Sequence, residues 1–210
     1  MIKIDFSAGD AGKRINEAAQ QLKDGRSLFR VIAATLEAQT EANFAAQGRP
    51  SWVPLSAATK AERLKRNQGS SVLKILQDRG ILAASVSPTY GADFAQIGAG
   101  GAASAYAGIH QFGGTVERPA YSVKTRLRTD AKGTLLRQAA EGKGKNLAVF
   151  AKDDHKRVRE SWHEVPAYRV QIPARPYLPF SGKPDSAVLQ PEAERSLLDV
   201  VMQHLQRSLG

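Results

Sequence analysis

The sequence predicts an α+β fold, and three observations predict it. Ile2, Ile4 and Phe6 alternate with Lys3 and Asp5, the period of a short strand with one buried face. Ala193, Leu197, Val201, Leu205 and Leu209 fall four apart, with Leu198 and Val200 widening the stripe, which is the period of an amphipathic helix. Between these ends lie further helical runs and strand-like runs, the latter clearest at Tyr121 to Arg128.

The elements follow in order. After a turn at Ser7 to Gly9, Asp10 is placed to cap a helix carrying Ile15, Ala18, Ala19 and Leu22 as far as Gly25. A second helix carries Leu28, Phe29, Ile32, Ala33 and Leu36 to about Ala46, where Gly48-Arg49-Pro50 closes it. Joined at Asp24-Gly25-Arg26, the two form a helical hairpin or one long broken helix. Ser51 to Ser71 is polar and basic and reads as a mobile loop, with a candidate helix through Lys60, Arg63, Lys65 and Arg66. Val72 to Val86 reads as a short helix, a turn at Asp78-Arg79-Gly80, then a short helical or extended piece. Strands are expected at Val86 to Tyr90 and around Phe94, Gln96 and Ile97, before a flexible stretch from Gly98 to Ala103. Pro191 opens the C-terminal helix, in the first turn where proline is tolerated.

Two motifs stand apart from this pattern. Ala105 to Gly114 sets Tyr106, Ile109, His110 and Phe112 among small residues and stops on Gly113-Gly114, a compact turn of backbone carrying large side chains. Gln171 to Leu178 places prolines on either side of Ala174-Arg175, fixing φ at two positions and pushing Ile172 and Arg175 toward extended conformations. Stiff backbone with one projecting guanidinium suits docking rather than catalysis.

Composition narrows the class. The 210 residues suffice for one large domain, or one domain with a sizeable insertion, burying roughly 70% of the unfolded surface. Thirty Lys and Arg against twenty Asp and Glu give +10, which suits an anionic partner. Residues 118–170 hold thirteen of the cations and six of the anions, +7 of that charge. They read as an insertion of mixed structure, with strand-like runs at Tyr121 to Arg128 and Leu147 to Phe150 and a helical candidate around Leu135 to Ala140. The expected domains are therefore a core of 1–113 with 171–210 and a basic, β-hairpin-like arm of 114–170. Zero cysteines exclude disulfides, zinc-thiolate sites and a cysteine nucleophile, and fit assembly in a reducing cytoplasm. No run approaches the roughly 20 apolar residues of a membrane span, and the alternating start is not a signal peptide, so a soluble, unexported protein is expected.

Catalytic chemistry is hard to assemble from these residues. His163-Glu164 has no histidine at i+4, so a zinc-hydrolase face is missing. His110 beside Tyr106 has no nucleophile elbow and reads as a packed structural histidine. Gly98-Ala99-Gly100-Gly101 lacks the Gly-Lys-Ser/Thr ending of a phosphate loop. No paired-carboxylate site emerges from Asp78, Asp93 and Glu117, so no catalytic residue, metal or cofactor is expected and the chain is not expected to be an enzyme. Lys124, Arg126 and Arg128, then Lys152, Lys156 and Arg157, interleave with Tyr121, Phe150 and Trp162. They line either a phosphate-facing surface or the solvated face of a strand. Trp52, with Pro54 and Leu55, is either core or an exposed anchor for a neighbouring subunit.

Four ordered segments then carry a family resemblance: Trp52-Val53-Pro54-Leu55-Ser56 with Thr59, Leu76 to Val86, Tyr106 to Gly113, and Ile172 to Leu178. Over residues 10–113 and 170–209 the chain resembles the virion morphogenesis and tail completion family of tailed bacteriophages, such as the tail completion proteins of Mu-like and P2-like phages. The resemblance implies a structural neck protein that finishes the tail and joins it to the DNA-filled head. It also implies a ring of identical subunits and helices packed on a small, mostly antiparallel sheet. Its expected partners are copies of itself, the tail tube and connector proteins, with non-specific contact to packaged DNA and none to membrane; its expected place is the neck of the virion. The 118–170 segment departs from the family pattern, whose link there is much shorter. On this reading Trp52, Tyr106, His110, Phe112, Ile172, Arg175 and Tyr177 build a subunit contact or the scaffold beneath one. The rival class is a DNA-binding accessory protein acting through the insertion.

Overall fold

The computed structural model describes residues 25–67, 69, 73–138 and 146–209; the strand expected at Ile2 to Phe6 and the helix carrying Ile15 to Leu22 lie outside them. In chain order the elements are α1 (Arg26–Ala46), α2 (Ala57–Arg66), α3 (Ile81–Ala84), β1 (Val86–Tyr90), β2 (Ala95–Ala99), α4 (Ser104–Phe112), β3 (Gly114–Arg118), β4 (Tyr121–Arg128), β5 (Val158–Val165), β6 (Tyr168–Ile172), β7 (Phe180–Ser181), β8 (Val188–Leu189) and α5 (Pro191–Leu209). The chain is α+β. Its strands form two-stranded ribbons, β1–β2, β3–β6, β4–β5 and β7–β8. Contacts divide it into two compact units, Met1–Gly114 with Gln171–Gly210, and Thr115–Val170.

In the first unit, Leu28, Phe29, Ile32, Ala33, Leu36, Thr40, Asn43 and Phe44 recur three and four apart, so α1 buries one face along its length. That face packs on the β1–β2 ribbon and on α5, whose Ala193, Leu197 and Val201 are buried. Each such Leu or Val contributes about 1.5–3 kcal/mol on leaving water. The end of α1 is specified by backbone geometry: Gln47 is left-handed (φ 57°), and Gly48 at φ 101° donates its N–H to Asn43 O at 2.8 Å. A Cβ at Gly48 would collide with the Trp52 ring.

Several expectations change here. Within the stretch expected to be a mobile loop, the candidate helix through Lys60 to Arg66 forms as α2, because Ser56 caps it by accepting from Thr59 N–H and Arg66 grips both oxygens of Asp78 at 2.6 and 2.7 Å. Gly98 and Ala99 are not flexible: they finish β2, buried, in register with Ser87 and Val86, and Gly101–Ala103 is a 3-10 turn that starts α4. The first special motif is a helix, α4, rather than a compact turn. Gly113 closes it with φ 74° and its N–H on Ile109 O.

In the second unit β4 pairs antiparallel with β5, from Tyr121 opposite Val165 to Arg128 opposite Val158. β5 was not foreseen. The helix expected around Leu135 is extended backbone instead, since Asp130 Oδ1 takes the N–H groups of Lys132 and Thr134 at 2.8 Å and Gly133 at φ 81° reverses the chain. Leu136 N–H then bonds Arg128 O, and Leu135 and Arg137 bridge Thr129 and Ala148; residues 139 and 140 lie outside the described part. Leu147 to Phe150 is extended, as its pattern suggests, with Val149 exchanging bonds with Leu136 and Arg128.

Candidate assembly site around Tyr177

Three prolines set the local structure at this site. Pro173, Pro176 and Pro179 hold the chain extended and remove three N–H donors, so the buried run from Arg175 to Phe180 carries fewer polar groups to satisfy. The rest are met mostly by side chains. Gln111 on α4 accepts from the N–H groups of Tyr177 and Leu178, both at 3.0 Å, and donates to Phe180 O at 2.8 Å. From the other side Asn43 on α1 donates to Tyr177 O (3.2 Å), Leu178 O (3.4 Å) and Gln190 Oε1 (2.9 Å). Trp52 Nε1 donates to Pro176 O at 3.1 Å, and Gln190 N–H to Pro179 O at 3.0 Å. Two amides therefore do for this segment what neighbouring strands do in a sheet.

The framework extends outward through Arg49, whose guanidinium holds Asn43 Oδ1, Gln39 O and Gln39 Oε1, each at 2.8 Å. Gln39 in turn donates to Ser196 on α5 at 2.9 Å. Tyr177 has no exposed surface, packs its ring 5.6 Å from Phe44, and donates its hydroxyl to Ala107 O at 3.4 Å. Burial, helped by Tyr106, pushes its phenol pKa above the ordinary tyrosine range.

Arg175 is buried, 8% exposed, and lies at the edge of this framework. Its N–H bonds His110 O at 2.8 Å, and its guanidinium donates to Val53 O (3.0 Å) and Pro54 O (3.4 Å). It thereby pins the 53–54 backbone. Burial, then the charge of Arg63, lowers its pKa. His110 is half-buried with its Nδ1 lacking a hydrogen-bond partner among the described residues, its ring meeting that of Tyr106 edge-on at 5.7 Å. Burial, then the Arg175 charge, lowers its pKa, so the imidazole is held neutral.

The two sequence motifs thus meet. Gly113 lies so close to the second that a Cβ there would stand 2.8 Å from Ala174 N and 3.1 Å from Ile172 O. Of the interface candidates, Tyr106, His110, Arg175 and Tyr177 form one cluster, and Trp52 joins it through Pro176. Phe112 and Ile172 are half-buried at the ends of α4 and β6. Trp52 and Tyr177 are enclosed within this chain, so they act through the backbone they hold. Asn43, Gln190 and Arg49 were not singled out from sequence; the available signal was a lone Asn on the apolar stripe of α1. The surface over this framework is a groove of about 630 Å³ lined in part by Pro50, Trp52, Val53, Ala174, Pro176 and Pro191.

The basic candidates fall elsewhere. Lys124, Arg126 and Arg128 alternate onto one face of β4. Lys124 pairs with Glu160 at 2.6 Å and lies 6.0 Å over the Trp162 ring, while Arg126 meets Asp153 at 3.1 Å and Glu160 at 3.2 Å. The hydrogen bond from Lys124 is the main cause that lowers the Glu160 pKa. Lys152, Lys156 and Arg157 are exposed and form no ion pair among the described residues. Among those residues no three His, Asp or Glu side chains gather as a metal would require, and no helix is long and apolar enough to cross a membrane.

Comparison with known proteins covers nearly the whole chain. The model of the phage virion morphogenesis family matches residues 10–206. Mu-like prophage FluMu G protein 1 of Haemophilus influenzae is 30% identical over 145 residues, 67% of this chain and 96% of that protein. FluMu G protein 2 of the same organism is 32% identical over 119 residues, 56% and 75% of the two chains. The putative capsid assembly protein G of Escherichia phage Mu is 34% identical over 129 residues, 57% and 80%. No solved structure matches.

Proposed function

The chain belongs to the phage virion morphogenesis family, and on that premise we propose that it is a structural protein of the neck of a tailed phage. It completes the tail and joins head to tail as a ring of identical subunits, and it works by contact rather than by catalysis. The observation that carries this reading is the Gln111–Asn43 clamp on Tyr177 and Leu178. A segment fixed from both sides loses little conformational entropy on docking, so the groove above it is preorganised for a neighbour. A head-to-tail contact of this kind closes into a ring when its rotation permits. Contact with the tail tube and connector proteins is part of the same proposal.

Native mass spectrometry of the purified chain, with imaging of particles made without it, tests the reading. Expected are a closed oligomer, and particles whose heads and tails remain unjoined. A monomer at every concentration, or intact particles in the chain's absence, would overturn it. The rival reading, a DNA-binding accessory acting through 118–170, is less favoured because Lys124 and Arg126 already meet carboxylates.

A further inference from the structure

Among its described residues the second unit holds no buried core. None of its described residues, 115–138 and 146–170, is fully buried, and every core residue described for the chain belongs to the first unit. Half of its large apolar residues are displayed, while others such as Leu127, Leu136 and Val165 are only half-buried: seven of the thirteen exposed large hydrophobics described lie here, among them Phe150 at 70% and Trp162 at 68%. Single exposed apolar residues need no explanation, but seven within one small unit do.

The register shows how they are arranged. Residues opposite one another share a face, so Tyr121, Val123 and Leu127 of β4 stand with Val165 of β5 on one side of the ribbon. Lys124, Arg126 and Glu160 form an ion-paired ladder on the other side, beside Trp162. That alternation is the pattern of a strand facing a core, yet among the described residues Tyr121 and Val123 are exposed and Leu127 and Val165 only half-buried.

Charge selects the partner. Residues 115–170 carry thirteen Lys and Arg against seven Asp and Glu, +6, and the remainder of the chain is +4, so a second copy presents no net negative surface to receive them. Two like-charged ribbons would not hold each other. Duplex DNA would neutralise Arg128, Lys152, Lys156 and Arg157 but leave Val123, Leu147 and Val170 without a role. An acidic protein surface with an apolar patch meets both needs.

We propose that residues 115–170 are a docking arm whose core is completed by an acidic surface of a different virion protein. The idea rests on the assembly reading above and gives that partner's chemistry. The test places the photo-crosslinker p-benzoylphenylalanine at Phe150, and separately at Tyr121 on the same face, in the full-length chain made in phage-producing cells, with purified particles irradiated. Both side chains are exposed, so the substitution leaves the first unit intact. Expected is an adduct with a virion polypeptide of acidic composition, identified by its peptides. Adding Lys156→Glu and Arg157→Glu should reduce that adduct at least tenfold without changing the native mass of the purified chain. An adduct with a second copy, with DNA, or with nothing overturns the proposal. A monomeric wild-type chain would sink the ring reading and leave the arm standing, whereas a self-adduct does the reverse.

Discussion

Gln111 Oε1 lies 3.0 Å from the backbone nitrogen of Tyr177, and the same oxygen also receives Leu178 N–H. One amide on α4 therefore holds the middle of the proline-spaced segment, with its own N–H on Phe180 O. Gln111→Leu has a similar volume and removes all three bonds while keeping the site buried. An abandoned buried polar group costs about 1–3 kcal/mol, so the variant should lose on the order of 3–5 kcal/mol. Urea unfolding measures it, and a loss below about 1 kcal/mol would show that water enters and replaces the amide.

Gly48 and Gly69 separate two costs that glycine avoids. Both have positive φ, 101° and 82°, but a Cβ at Gly48 strikes the Trp52 ring whereas one at Gly69 would find no atom of the described residues within 4 Å. Gly69→Ala should cost only the left-handed strain, about 1 kcal/mol. Gly48→Ala should cost at least twice that, about 2–4 kcal/mol, because Trp52 must leave Pro176 O or the end of α1 must unwind. Equal losses in thermal unfolding would mean that the ring moves aside freely.

How much of this was legible beforehand depends on what each pattern had to obey. α1 and α5 are readable because burial of one face forces the 3.6-residue period, and Pro191 marks the start of α5. Tyr121 to Arg128 is readable as a strand because it alternates. β5 is not, because Val158, Trp162 and Val165 follow no two-residue period: both faces of that strand are largely open, so nothing selects one. α4 is hidden by Ala105, Gly108 and the Gly113-Gly114 stop, and its helix is fixed by what Ala107 and Gln111 touch in the 177–180 segment. Within the site, the prolines, Trp52, Arg175 and Tyr177 announce themselves by residue type. Asn43 and Gln190 do not, since pattern reading assigns polar residues to solvent and only the fold brings them together.

His110 makes stability depend on pH in a defined direction. Burial and Arg175 lower its folded pKa, while the unfolded chain binds the proton near the ordinary value of about 6.5. Between those two values the unfolded state holds more protons, so stability falls as pH drops through about 6.5 and levels off below the folded pKa. His110→Gln keeps a polar side chain without a titrating ring. The difference in unfolding free energy between wild type and His110→Gln should therefore shift against the wild type from pH 8 to pH 5.5. A constant difference would place the ring in water.

Arg175 tests whether the clamp and the assembly contact are one device. Its guanidinium donates to Val53 O and Pro54 O at once, which needs a planar fork; a lysine ammonium offers no such geometry. Arg175→Ala removes a buried cation together with its bonds, and should cost about 1.5–3 kcal/mol, the range for hydrogen bonds to charged groups. Arg175→Lys keeps charge and most of the volume but frees at least one carbonyl, so the 53–54 backbone loosens while the core around Tyr177 stays packed. If the groove is the subunit contact, both variants should remain folded by circular dichroism yet fail to form the ring in native mass spectrometry, and head–tail joining should fail with them. Arg175→Lys assembling at the wild-type concentration would separate the two. The clamp would then serve stability alone, and the ring contact would have to lie away from Val53 and Ala174.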